Sequence, residues 1–204
     1  RVKESPTERF KIENFKDDIK NYQPINEQEN QDQKVVIQLI EQSPQILTRD
    51  NYVAHITSSG FIMNPILTKV LMIHHNIMKK WAWTGGHADG ESDLLAVALK
   101  EAREETGVKD IQPLSSQIAS LDILPVSSHF KNGCYVNTHL HLSVAYLLIC
   151  DENQPLKICE KENSGVEWID IDMINHQYFS EHDVYLYHKL IDRAQKEVEK
   201  IRWK

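Results

Sequence analysis

Glu101, Glu104 and Glu105 are the residues most able to do chemistry in this chain. Their i, i+3, i+4 spacing puts three carboxylates on neighbouring turns of one helix face. Like charges held so close repel, and a solvated acidic face is the plain reading of such a cluster. Their surroundings point further. Gly85-Gly86 supplies a tight loop before the helix, and Gly107 suits its C-terminal exit. Hard oxygen donors beside a glycine turn suit Mg²⁺ or Mn²⁺, which prefer carboxylate, carbonyl and water. Two further groups of residues could act. Glu160 and Glu162 precede a late strand, and His139 and His141 stand two apart on a long one. Two histidines at that spacing face one side of a strand and could bind a transition metal. No third ligand stands beside them in sequence, so they read as a polar face.

The elements that must position these groups follow from periodicity. The apolar residues of 7–22 and of 27–42 recur at helical spacing, and Pro24 and Pro44 end the two patterns. From Tyr52 the pattern changes to strands: 55–63 and 69–75 flank the Asn64-Pro65 turn and predict a hairpin. Trp81 and Trp83 lead into the glycine pair and read as core or sheet edge. Lys79 and Lys80 read as solvated charges. The acidic helix begins at Ser92 or Asp93, with Leu94, Leu95, Val97, Ala98, Leu99 and Ala102 turned inward. Strands are predicted at 118–126, 139–150 and 166–171, with a loop or hairpin at 127–137. A closing amphipathic helix starts near Ser180, with Val184, Tyr187, Ile191, Ala194, Val198 and Ile201 as its apolar stripe. The order of elements gives an α+β class with a mixed sheet.

Composition bounds the function. The 204 residues, 41% hydrophobic, can bury one good core. No apolar run approaches the ~20 residues that span a bilayer, so no membrane partner is expected. A formal net charge of −7 without a basic stripe argues against long nucleic acid as a partner. Three cysteines, Cys134, Cys150 and Cys159, form no C-x-x-C pair, which leads us to expect reduced thiols and a cytoplasmic location.

The stretch Gly85–Val108, GGHADGESDLLAVALKEAREETGV, resembles the Nudix box, G-x5-E-x7-R-E-U-x-E-E-x-G-U with U aliphatic. Glu101, Glu104, Glu105, Gly107 and Val108 match in register, and the first glycine falls on Gly86. Ser92 stands at the isolated glutamate, with Glu91 one place earlier. Lys100 stands at the arginine, keeping the charge but losing the planar fork. Ala102 fills the aliphatic slot. The resemblance implies a Nudix-like α/β/α sandwich over residues 48–204, with 1–47 as a helical N-terminal extension serving as structural cover or as a homodimer contact. It implies hydrolysis of a pyrophosphate bond in a nucleoside diphosphate linked to another group, such as a nucleotide sugar, ADP-ribose, a dinucleotide or an NTP. Glu101, Glu104 and Glu105, with the Gly86 carbonyl, would bind Mg²⁺ or Mn²⁺. Glu104, Glu105 or Glu162 would accept the proton of the attacking water, Glu162 standing ahead of Glu160 as the late carboxylate. Glu91 and Lys100 would support the site. The alternative is a Nudix-fold module that binds a nucleotide without cleaving it. Retention of three metal-binding glutamates argues against that.

Overall fold

The computed structural model describes residues 15–202. Helix α1 is helical over 15–21, and the earlier part of the helix expected at 7–22 lies outside the described residues. Helix α2, Glu27–Gln42, spans the predicted range. Its N-cap is Asn26, whose side chain accepts the Glu29 N–H, and the Ser43 N–H closes its other end on the Leu39 carbonyl. Strands β1 (Ala54–Met63) and β2 (Lys69–His75) form the expected hairpin, with Ile62 opposite Leu71 and Met63 opposite Val70. Asn64 sets its turn, the side-chain oxygen accepting the Thr68 and Lys69 N–H groups at 2.8 and 3.0 Å.

The remaining elements are β3 (Trp81–Ala82), β4 (Thr84–His87), α3 (Leu94–Thr106), β5 (Ile111–Pro113), β6 (Ser120–Val126), β7 (His129–Lys131), β8 (Cys134–Val136), β9 (His139–Cys150), β10 (Asn163–Asp170) and α4 (Glu181–Arg202). Eight strands make a mixed sheet in the order β10-β2-β1-β9-β5, with β3 on β2, β4 on β1 and β6 on β9. β7 and β8 pair as a separate hairpin, which resolves the stretch read as loop or hairpin. The chain is α+β, as its pattern predicts. Among the described residues no helix is long and apolar enough to cross a membrane.

The chain forms two compact units. The first holds residues up to Ser58, Gly86–Val97 and Ser120–Val144. Here α2 lies along β6 and satisfies its backbone: Asp32 accepts the Ile123 N–H at 3.0 Å, and Glu29 accepts the Leu121 N–H at 3.4 Å. Glu29 is fully buried, and it also accepts from the Tyr22 hydroxyl and the Ile25 N–H. A buried carboxylate is tolerable only with that many donors.

The second unit holds Ser59–Gly85, Ala98–Ala119 and Ala145 onward. Its core joins Phe61, Met63, Val70 and Met72 of the hairpin to Leu186, Tyr187, Leu190, Ile191 and Ala194 of α4. Tyr187, Ile191 and Ala194 of the predicted stripe lie in this core and Val198 packs against it, so the stripe holds through its middle and departs at its ends. Leu186 and Leu190 are buried, whereas Val184 and Val198 are only half-buried and Ile201 is exposed. Lys80, read as a solvated charge, instead holds both oxygens of the buried Asp183 at 2.7 and 2.9 Å.

Candidate functional site

Helix α3 carries the three glutamates and is set at both ends. Asp93 is the residue that caps its start: the side chain accepts the Ala96 N–H at 3.0 Å and its carbonyl accepts from Val97. Gly107 ends the helix at φ +76°, with its N–H on the Arg103 carbonyl. Only glycine takes that conformation without strain. The inward positions Leu94, Val97, Ala98 and Ala102 are buried as expected, and Leu95 and Leu99 are half-buried.

The same rotation makes the three carboxylates unequal. Glu105 points inward and is 2% exposed. Its Oε2 accepts the Gly85 N–H at 2.9 Å, so the first glycine of the pair has a direct task. Glu101 is mostly covered, with its side chain 13% exposed, while that of Glu104 is 55% exposed. Lys100 lies between them, its Nζ 3.6 Å from Glu101 and 3.8 Å from Glu104. It bridges two carboxylates as a point charge where a guanidinium would fork.

The loop before β10 brings Glu162 to this helix. Asn163 is buried and donates to the Glu105 carbonyl at 2.9 Å, which ties the loop to the end of α3. The Asn76 N–H donates to the Glu162 carbonyl, and the Asn76 side chain to that of Glu160. So held, the Glu162 charge acts on both Glu101 and Glu105. Glu160 is exposed, and the contact it makes is through its backbone. Asn76 and Asn163 escape sequence reasoning, because a loop asparagine carries no sign of what it clamps.

Electrostatics follow from this crowding. Burial pushes the Glu105 carboxyl up to about 9, against the pull of the Gly85 N–H and with the charges of Glu162 and Glu101 adding. Burial also holds Glu101 above the ordinary carboxylate range, opposed by Lys100 and reinforced by Glu162 and Glu104. Such a group of oxygen donors, charged only at a cost, fits a hard divalent cation.

Two expected participants lie in the first unit. Gly86 is half-buried in β4. Glu91 is exposed and accepts the Asp93 N–H at 2.8 Å, so it braces the entry to α3.

His139 and His141 do share one side of β9, with their Nε2 atoms 3.2 Å apart. They are not alone. The ring of His55 stacks 4.9 Å from that of His139, and His87 lies 5.0 Å from His141. Burial and the neighbouring rings push His141 down to about 3, and burial with the Arg49 charge pushes His87 down to about 4. The two additional histidines come from other strands, so no local spacing announces them.

The NUDIX domain model matches residues 55–190. No curated protein matches the chain. Among solved structures, a Caenorhabditis elegans Ap4A hydrolase binary complex is 12% identical, with 71% of this chain and 98% of that one covered at a TM-score of 0.46. A NUDIX-family hydrolase from Clostridium perfringens is 20% identical, covering 68% and 96%, also at 0.46. The NUDIX domain of Shewanella oneidensis NrtR, complexed with ADP ribose, is 18% identical, covering 70% and 87% at 0.47.

Proposed function

The chain belongs to the NUDIX domain family of hydrolases acting on phosphoanhydride bonds, and from that premise we propose that it cleaves the pyrophosphate bond of a nucleoside diphosphate linked to another group, with Mg²⁺ or Mn²⁺ as cofactor. The observation that carries this reading is the buried Glu105 carboxylate, pinned by Gly85 and faced by Glu101 and Glu162. A protein gains no stability from ionising so crowded a group, so its retention makes sense as a cation site.

In this reading Glu101, Glu104 and Glu105 hold the cation. Such an ion supplies charge neutralisation for the phosphate oxygens and acidifies the attacking water. Gly85 fixes the direction of the Glu105 carboxylate through its N–H. Lys100 keeps Glu101 and Glu104 from splaying apart. Glu104, Glu105 and Glu162 are the candidates for accepting the water's proton. The exposure of Glu104 and Glu162 favours them, because water reaches them, whereas Glu105 is enclosed. Glu91 supports the site by bracing the start of α3. The substrate is a small phosphorylated nucleotide, and residues 1–47 are an extension of the hydrolase domain of 48–204.

The test is product release from a panel of ADP-ribose, NADH, nucleotide sugars, dinucleoside polyphosphates and ordinary and oxidised nucleoside triphosphates, each with Mg²⁺, Mn²⁺ or EDTA. Cleavage of one class that stops in EDTA supports the proposal and names the substrate. Tight binding of one compound with no cleavage in either metal overturns it in favour of a binding module.

A further inference from the structure

Four imidazoles of the first unit meet in one place. His55 stands near the start of β1, His87 ends β4, and His139 and His141 share one side of β9. Ring centroids are 4.9 Å apart for His55 and His139, 5.2 Å for His55 and His141, and 5.1 Å for His139 and His141. Histidine is not a core-filling residue, and His55 and His139 are nonetheless only 4% and 8% exposed.

The hydrogen bonds decide which nitrogen each ring offers. His55 Nδ1 lies 3.1 Å from the Asn51 carbonyl, and His139 Nδ1 lies 2.8 Å from the Asn137 carbonyl. A carbonyl only accepts, so Nδ1 carries the proton in both rings. Each Nε2 of a neutral ring then carries a lone pair; that of His139 accepts the His141 Nε2–H at 3.2 Å, a proton that shifts to His141 Nδ1 when Nε2 turns to a cation. An imidazole whose Nδ1–H is anchored on a backbone carbonyl while Nε2 faces inward is how metal-binding histidines are oriented. His55 Nε2 is buried and has no hydrogen-bond partner among the described residues. Buried ring nitrogens are normally paired, so this lone pair is open to a partner that no described protein group supplies.

The spacing identifies what that is. Nitrogens about 2.0–2.1 Å from a tetrahedral ion stand roughly 3.3 Å from one another. His139 Nε2 and His141 Nε2 are 3.2 Å apart, and the ligand atoms of His55, His139 and His141 all lie within 4.8 Å of one another. We propose that His55, His139 and His141 form a second metal site, built from residues other than the glutamates, that takes a borderline transition cation such as Zn²⁺ or Co²⁺. Three imidazoles without a carboxylate select such ions over Mg²⁺ and Ca²⁺, which require oxygen ligands. Three protein ligands leave a fourth position for water or an exchangeable ligand, the composition of open zinc sites. His87 stands outside this set, edge-on to His141 with ring centroids 5.0 Å apart.

The test uses the full chain stripped with EDTA and dialysed against low Zn²⁺ in excess Mg²⁺, with bound zinc counted by elemental analysis. Wild type should keep one zinc per chain against the Mg²⁺. Loading with Co²⁺ should give the visible absorption of a tetrahedral, nitrogen-ligated ion. His139→Gln and His141→Gln should lose stoichiometric zinc, with circular dichroism reporting that they fold. Glu105→Gln should keep it. Wild type that binds no zinc, or folded histidine variants that bind as well as wild type, would overturn the proposal. So would loss of the zinc in Glu105→Gln, which would put the ion at the glutamates. Should the histidine variants fail to fold, the cobalt spectrum of wild type decides alone: an octahedral oxygen-ligated spectrum, or none, overturns the site.

Discussion

Replacing Glu105 with glutamine should make the cation-free protein more stable while destroying its chemistry. The carboxyl is enclosed, and burial raises it from 4.5 to about 9 in the folded chain. The native protein then keeps a proton that the unfolded chain has released. For a group raised on folding, the full stabilising effect of the protonated form is present below pH 4.5, and it is lost progressively as pH rises toward 9. The slope is about 1.36 kcal/mol per pH unit. At pH 7 about 2.5 units have been crossed, which sets a ceiling of roughly 3.4 kcal/mol. Glu101 and Glu162 act on the same proton, so the share belonging to Glu105 alone is about 2 kcal/mol. Glutamine has nearly the same shape, keeps an oxygen for the Gly85 N–H and has no charge to lose. Urea denaturation in EDTA at a series of pH values is the assay. Glu105→Gln should exceed wild type by about 2 kcal/mol at pH 7 and equal it near pH 4.5. Added Mg²⁺ should stabilise wild type and not the variant. A variant no more stable than wild type at any pH in EDTA would refute the reasoning.

Three other outcomes follow from the packing. At Gly60 an added Cβ would meet Leu148 Cδ1 at 2.6 Å and Thr84 Oγ1 at 3.2 Å, so Gly60→Ala should cost about 1–3 kcal/mol, read by calorimetry. Lys100→Ala removes two contacts of 3.6 and 3.8 Å made by an exposed ammonium; stability should change by less than about 1 kcal/mol in urea titration, while turnover falls several-fold because Glu101 and Glu104 lose their bridge. Burial, with the Asp151 and Asp110 charges adding, pushes the Cys150 thiol up to about 11. Iodoacetamide at about pH 8 should therefore alkylate the exposed Cys134 long before Cys150, as mass spectrometry of timed samples would show.

What could be seen in the sequence was whatever a local pattern determines. KVLMIHH forms β2 over its full length because a β-rich apolar run bounded by a turn has one stable environment, the middle of a sheet. Helix α4 was legible in its extent and in the middle of its stripe, but not in the full width of its buried face. The predicted Tyr187, Ile191 and Ala194 join the core with Phe61, Met63 and Met72, but so do Leu186 and Leu190, which widen the buried face beyond the stripe that spacing picked out. At the glutamates, spacing gave the shared helix and the approach to one face. It could not give their unequal burial, which depends on Gly85 and on the loop that Asn163 ties down. The histidine group was half legible. Alternation on β9 pairs His139 with His141, but His55 and His87 arrive from other strands.

The central claim is that the α3 glutamates make a divalent-cation site for phosphoanhydride hydrolysis. The most direct measurement is the initial rate of the Glu104→Gln/Glu105→Gln double variant on the substrate that wild type cleaves, at saturating Mg²⁺, with folding verified by circular dichroism. The account predicts a folded protein whose rate falls by at least about 100-fold. A folded double variant that still hydrolyses the substrate at the wild-type rate and still requires the metal would contradict it.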